Sequence, residues 1–106
     1  MASELTWSPQ PTHGPPPAAT HGHTATLQGV APKQRLVVFG GQGEDNVMLA
    51  ETHVLDLVGW TWRQPNVGTT RPGRRAFHTA TAIETTRMLL FGGAMMSSDD
   101  QTMEYY

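Results

Sequence analysis

The 106-residue sequence predicts an all-β fold built from repeated four-strand units. Three observations predict it. Short runs of β-branched and apolar residues alternate with turn signals at close spacing, the pattern of antiparallel strands. No window of about eleven residues or more holds an i, i+3, i+4, i+7 apolar stripe, so an amphipathic helix has no good candidate. The pattern also occurs twice. Residues 35–62 read RLVVFGGQGEDNVMLAETHVLDLVGWTW, and a second MLLFGG starts at Met88, followed by a polar loop and TMEYY.

In chain order, Leu5-Thr6-Trp7 is expected to form one short strand. Residues 8–17 carry Pro9, Pro11, Pro15, Pro16 and Pro17, which favour extended or polyproline backbone and a stiff connection. Residues 23–27 (HTATL) are a strand ending at the turn signals Gly29 and Pro32. Residues 35–39 (RLVVF) are a continuous apolar run, short enough to be a strand buried on both faces. Gly40-Gly41 stops it. Residues 52–57 alternate as a third strand, and Gly59 turns the chain into a fourth at residues 60–62. After a polar connection at 65–73 the order begins again, with strands expected at 78–83 and 87–91. Gly92-Gly93 is the stop, and residues 103–106 are the start of the next unit's third strand.

The period sets the architecture. Trp7 recurs as Trp62 and His23 as His78, both 55 positions on, while Gly40 recurs as Gly92, 52 positions on. The first unit carries three extra residues around Gly29-Val30-Ala31-Pro32. A four-strand unit recurring at about 50 residues is the spacing of a propeller blade. The chain resembles the kelch repeat family at Pro72-x-x-Arg75-x-x-His78, at Phe91-Gly92-Gly93, and at Phe39-Gly40-Gly41 with Asp56 and Trp62 downstream. One glycine pair is worthless as a signal. Two pairs, each behind an apolar run with His upstream, and Asp-x5-Trp after the first, are specific.

The resemblance covers the chain from about Pro17 onward. It implies an N-terminal strand remnant and Pro-rich connection (1–19), a complete kelch blade (20–62), and a connection with a partial second blade (63–106). Propellers in general hold about four to eight blades, so the chain is too short for a closed one. A fragment of a larger propeller is the expected reading; assembly with other copies and an incomplete propeller with exposed edges are the alternatives. Exposed edges would invite self-association.

Structural roles follow for the motif residues. The glycine pairs permit positive φ and close approach of another side chain, for which Trp62 is the expected occupant. Asp56 is expected to accept turn amides, and Arg75 and His78 to tie neighbouring loops together. Thr20 stands where the arginine should be in the first unit, which weakens that tie.

Composition narrows the function. A net charge of −2 gives no electrostatic reason to expect nucleic acid. No run of about 18 apolar residues crosses a membrane, and the N-terminus lacks the basic and apolar regions of a secretory signal. With no cysteine there is neither a disulfide framework nor thiolate chemistry. A cytoplasmic protein is expected.

His21-Gly22-His23, with His13 upstream, looks like metal-binding material, but His23 is accounted for by the kelch pattern and two histidines two apart have no third ligand nearby, so no metal site is expected. The acidic loops at 44–46 and 98–100 lack calcium-loop spacing. The serines have no nucleophile elbow, so no catalytic residues are expected, and nothing in the sequence calls for a cofactor.

The resemblance implies a protein–protein interaction module, a scaffold or substrate-recognition adaptor. Kelch domains often recruit substrates for ubiquitin ligases or serve as cytoskeletal and trafficking scaffolds, and no BTB-like second domain selects among these here. The alternative is the propeller part of an oxidase or lyase, of which the copper oxidase type needs a Cys–Tyr cross-link that this chain cannot form. Binding residues are expected on the loops of the glycine-pair end: Arg71 and Arg74, whose guanidinium forks suit carboxylates, with Gln42, Glu44 and Asp45.

Overall fold

The computed structural model describes residues 5–44, 47–65, 72–96 and 103–105. Strands β1 (Thr24–Gln28), β2 (Arg35–Phe39), β3 (Thr52–Asp56) and β4 (Thr61–Arg63) form one antiparallel sheet in that spatial order. β5 (Thr79–Ala82) and β6 (Met88–Phe91) form a two-stranded sheet, and β7 (Ala94–Met96) pairs with β8 (Met103–Tyr105) in another. No α-helix forms among the described residues. The fold is all-β and antiparallel: one complete blade, and two strands in the β1–β2 positions of a second.

β2 is an interior strand, and its Val37, Val38 and Phe39 are buried together with Val54 and Leu55 of β3. Register explains the division of faces, because directly paired residues project to the same side of the sheet. Thr24 pairs with Phe39, Thr26 with Val37, and Val37 with Val54, so these share the face turned to the second blade. There Thr26 Oγ1 donates to the Ala80 carbonyl at 3.3 Å and Arg35 Nη2 to the Thr85 carbonyl at 3.2 Å. The two blades thus meet along β1 and β5.

The two repeats are built alike beyond their strands. His21 forms an antiparallel bridge with Gln42, and Ala76, its counterpart 55 positions on, bridges Ala94, the counterpart of Gln42.

Two expectations are corrected. Residues 5–7 form no strand, and Leu5 and Trp7 stand wholly exposed at 99% and 100%. Pro9 and Pro11 cannot donate to a ladder there. His13, which has its N–H, pairs instead, in a parallel bridge to Thr61 with His13 N donating to the Trp60 carbonyl and Trp62 N to the His13 carbonyl, both at 2.8 Å.

β8 is not the third strand of a second blade. It pairs with β7, Ala94 against Tyr105, in the way that Gln42 pairs with Met48 in the first unit. It is therefore the return arm of the loop after the glycine pair.

Gly59 lies in the β3–β4 turn as expected, and the left-handed residue there is Trp60 (φ 55°). Asp56 Oδ1 accepts the Val58 amide at 2.8 Å and so fixes the start of this turn.

Candidate functional site

Antiparallel order puts the β2–β3 loop and the connection into β5 at one end of the blades. Gly40 and Gly41 have φ of 71° and 98°, and both are closely approached. A Cβ on Gly40 would lie 2.6 Å from the Arg75 carbonyl oxygen and 2.9 Å from His78 Cε1. One on Gly41 would lie 3.0 Å from His23 Cβ. Histidines and the incoming connection fill the glycine pair, so the expectation that Trp62 occupies it is corrected. Trp62 is half-buried on β4, opposite Leu55. Being one strand farther out than the histidines, it is not among the nearest neighbours of either glycine.

The connection is sewn to the first blade. Gly41 N donates to the Arg75 carbonyl at 2.9 Å, Arg75 N to the Leu49 carbonyl at 3.1 Å, and Phe77 N to the Gly22 carbonyl at 2.7 Å. The Arg75 side chain turns to its own blade, with Nη1 donating to the Gly92 carbonyl and Nε to the Gly73 carbonyl, both at 3.1 Å. Thr20, which replaces arginine in the first repeat, is engaged with His23 Nδ1 at 3.0 Å.

His78 is buried. Its Nε2 hydrogen-bonds Thr24 Oγ1 at 2.8 Å, and its ring meets Phe39 edge-on, with centroids 5.4 Å apart. Nδ1 is buried without a hydrogen-bond partner. Desolvation lowers the His78 pKa below the ordinary histidine value, and the positive potential of Arg75 and then of His23 adds to it.

Of the expected partner-facing residues, Arg74 and Glu44 are exposed at this end, and Arg71 and Asp45 lie outside the described residues. Gln42 does not face outward. It is buried, and its Oε1 hydrogen-bonds His21 Nε2 at 3.1 Å, because the bridge to His21 turns the two side chains together. A shallow groove of about 310 Å³ runs between residues 19–21 and 42–44, with Glu44 at its margin.

Sequence reasoning passed over Phe77. It has φ of 62°, a left-handed conformation that costs an aromatic residue about 1–3 kcal/mol. Its ring remains 58% exposed while its edge covers Gly22 and its plane tilts 54° to His21, centroids 6.0 Å apart. The available signal was positional. Phe77 occupies the position of Gly22 in the repeat, where glycine bears a φ of 72° without strain.

A larger groove, about 450 Å³, opens at the opposite end among Pro32, Lys33, Arg35, Val54, Asp56 and Arg63. Its lining comes from the β1–β2 turn, β2, β3, the β3–β4 turn and β4 of the first blade alone. Among the described residues, no three His, Asp or Glu side chains gather where they could hold a metal ion.

Residues 2–106 match the KLHDC2/KLHL20/DRC7 Kelch-repeats domain family. The chain is 33% identical over 109 residues to acyl-CoA-binding domain-containing protein 4 of Arabidopsis thaliana, covering 95% of this chain and 16% of that protein. It is 36% identical over 89 residues to dynein regulatory complex subunit 7 of Chlamydomonas reinhardtii, covering 84% of this chain and 7% of that protein. Human host cell factor 1 is 31% identical over 91 residues, covering 84% of this chain and 4% of that protein. The chain thus spans only a small part of the length of each of these relatives.

Proposed function

Since the chain belongs to the kelch-repeat family, we propose that it is a protein–protein interaction module, a scaffold or substrate-recognition adaptor, that takes its partner at the glycine-pair end of the blades. Phe77 carries this reading. A strained, half-exposed aromatic ring, held by a backbone hydrogen bond to Gly22 and by contact with His21, is a rigid anchor on a loop that is otherwise polar. Arg74 and Glu44, of opposite charge, are exposed at the same end of the blades, which suits a polypeptide segment better than a uniformly charged ligand.

The test is site-specific photo-crosslinking, with the crosslinker in place of Phe77 and, as a control, in place of Val58 at the opposite end. A discrete partner band at position 77 that weakens with Arg74→Ala and is missing at 58 supports the reading. Equal labelling at both ends would sink it. So would stoichiometric metal in the purified protein together with turnover, which would support the enzyme class instead.

A further inference from the structure

Residues 75–77 are pinned to the first blade by three backbone hydrogen bonds: Arg75 N to the Leu49 carbonyl, Gly41 N to the Arg75 carbonyl, and Phe77 N to the Gly22 carbonyl. A fourth hold comes from the next side chain. The His78 ring is seated in the seam between the blades, on Thr24 Oγ1, against the edge of Phe39 and over Gly40. Together these keep Phe77 at φ 62°, a conformation that an aromatic residue leaves once the surrounding structure no longer imposes it.

Peptide hydrogen bonds keep their strength across the neutral pH range. His78 is different, because a histidine changes charge between about pH 5 and 8 and a buried site disfavours the charged form. The residue is only 6% exposed. Among the described residues, the charged or titratable groups facing it are Arg75, from the connection, and His23, from the approach to β1. The other residues packed on it are uncharged: Thr24 of β1, Phe39 and Gly40 at the end of β2, and Gly93 after β6.

Burial, then Arg75, then His23 lower the His78 pKa, against the Phe39 backbone hydrogen bond, which raises it. The seated ring therefore binds a proton less readily than a ring in water. Acid favours whichever conformation has taken the ring out of the seam. The rest of the seam does not share this sensitivity. The Thr26 hydroxyl on the Ala80 carbonyl and the Arg35 guanidinium on the Thr85 carbonyl do not change charge in that range, so β5 stays docked.

We propose that His78 is an acid-operated latch on Phe77: protonation lifts the imidazole out of the seam, releases residues 75–77 from the first blade and withdraws the anchor from a bound partner. The latch draws its purpose from the reading of Phe77 as that anchor. Partner affinity then falls in acid whatever the partner's own titration.

The test needs no partner, so it succeeds or fails separately from that reading. Fluorine NMR of the full chain, labelled with 4-fluorophenylalanine at its three phenylalanines, follows Phe77 from pH 7.5 to 5 well below the melting temperature. Phe77→Leu assigns the signal. The Phe77 signal should shift with a midpoint below the ordinary histidine value of 6.5, while the circular dichroism of the sheets stays constant. A signal that does not respond overturns the latch, and so does loss of the β signal in the same step, which is global unfolding.

Two variants assign the response. His78→Gln keeps an amide to meet Thr24 but has no titrating ring, and should abolish the shift. His21→Gln should retain it, since His21 touches Phe77 and is the rival source, with ring centroids 6.0 Å apart. The opposite result in either variant overturns the proposal. Should His78→Gln melt earlier than the parent, Thr24→Val decides instead. Without the hydroxyl the seat is weaker and the midpoint must rise; an unmoved midpoint overturns the latch.

Discussion

His78 Nε2 and Thr24 Oγ1 lie 2.8 Å apart across the seam between the blades, although 54 positions separate them in sequence. Burial of the imidazole, and then the positive Arg75 and His23 near it, favour its neutral form, and together they outweigh the opposing hydrogen bond to the Phe39 backbone.

Stability is therefore expected to depend on His78 in acid. Its folded pKa lies below the unfolded value of about 6.5, so the unfolded chain binds the proton more readily. The full contribution is present above the unfolded value and is lost as pH falls from there toward the folded one. Thermal melting between pH 7.5 and 5 should show a falling Tm, and His78→Leu should flatten that slope while lowering Tm at neutral pH. An unchanged slope in the variant would assign the acid sensitivity elsewhere.

Gly40→Ala should be severe. Its φ is 71°, and the new Cβ would stand 2.6 Å from the Arg75 carbonyl. Left-handed strain alone costs about 1–2 kcal/mol, to which the clash adds. Gly59→Ala is the control. It lacks a left-handed φ, and its nearest neighbour is Thr61 Oγ1 at 3.5 Å. A gain of about 0.5 kcal/mol is expected from the stiffer unfolded chain. Urea denaturation of the pair checks both signs.

Arg75→Lys should not be conservative. The fork spans from the Gly73 carbonyl to that of Gly92, which an ammonium cannot do from one position. A loss of about 1–2 kcal/mol is expected, against less than about 0.5 kcal/mol for the exposed neighbour Arg74→Ala. Equal losses would show that Arg75 has no special role.

Trp62→Ala should cost about 1–2 kcal/mol. That is below the roughly 3–5 kcal/mol of a fully buried tryptophan, because the ring is half-buried on β4. A loss near the upper range would mean that Trp62 is covered more completely than its place on β4 allows.

The repeat made most of the fold legible. The strands of the first blade fall within a residue or so of the positions read from alternation and turn signals, since Gly40-Gly41 and Asp56 act locally on the chain beside them. What was not legible depends on contacts between distant segments. The filling of the glycine pair by His78 requires knowing that β5 packs on β1, and no local pattern states that. Gln42 looked like a loop residue because it follows two glycines, yet the bridge to His21 buries it. Phe77 escaped notice because its left-handed backbone is imposed by the hydrogen bond to Gly22, and nothing in its own residue type predicts that conformation.

The pairing of His13 with β4 has a consequence for sheet growth. A bare outermost strand offers its N–H and C=O groups to any extended peptide that drifts by. Here the Trp60 carbonyl and the Trp62 amide are already taken by His13, and Pro11 and Pro15 on either side of it have no amide to offer. The strap terminates the sheet and makes a poor template itself, so uncontrolled stacking is discouraged on the β4 side.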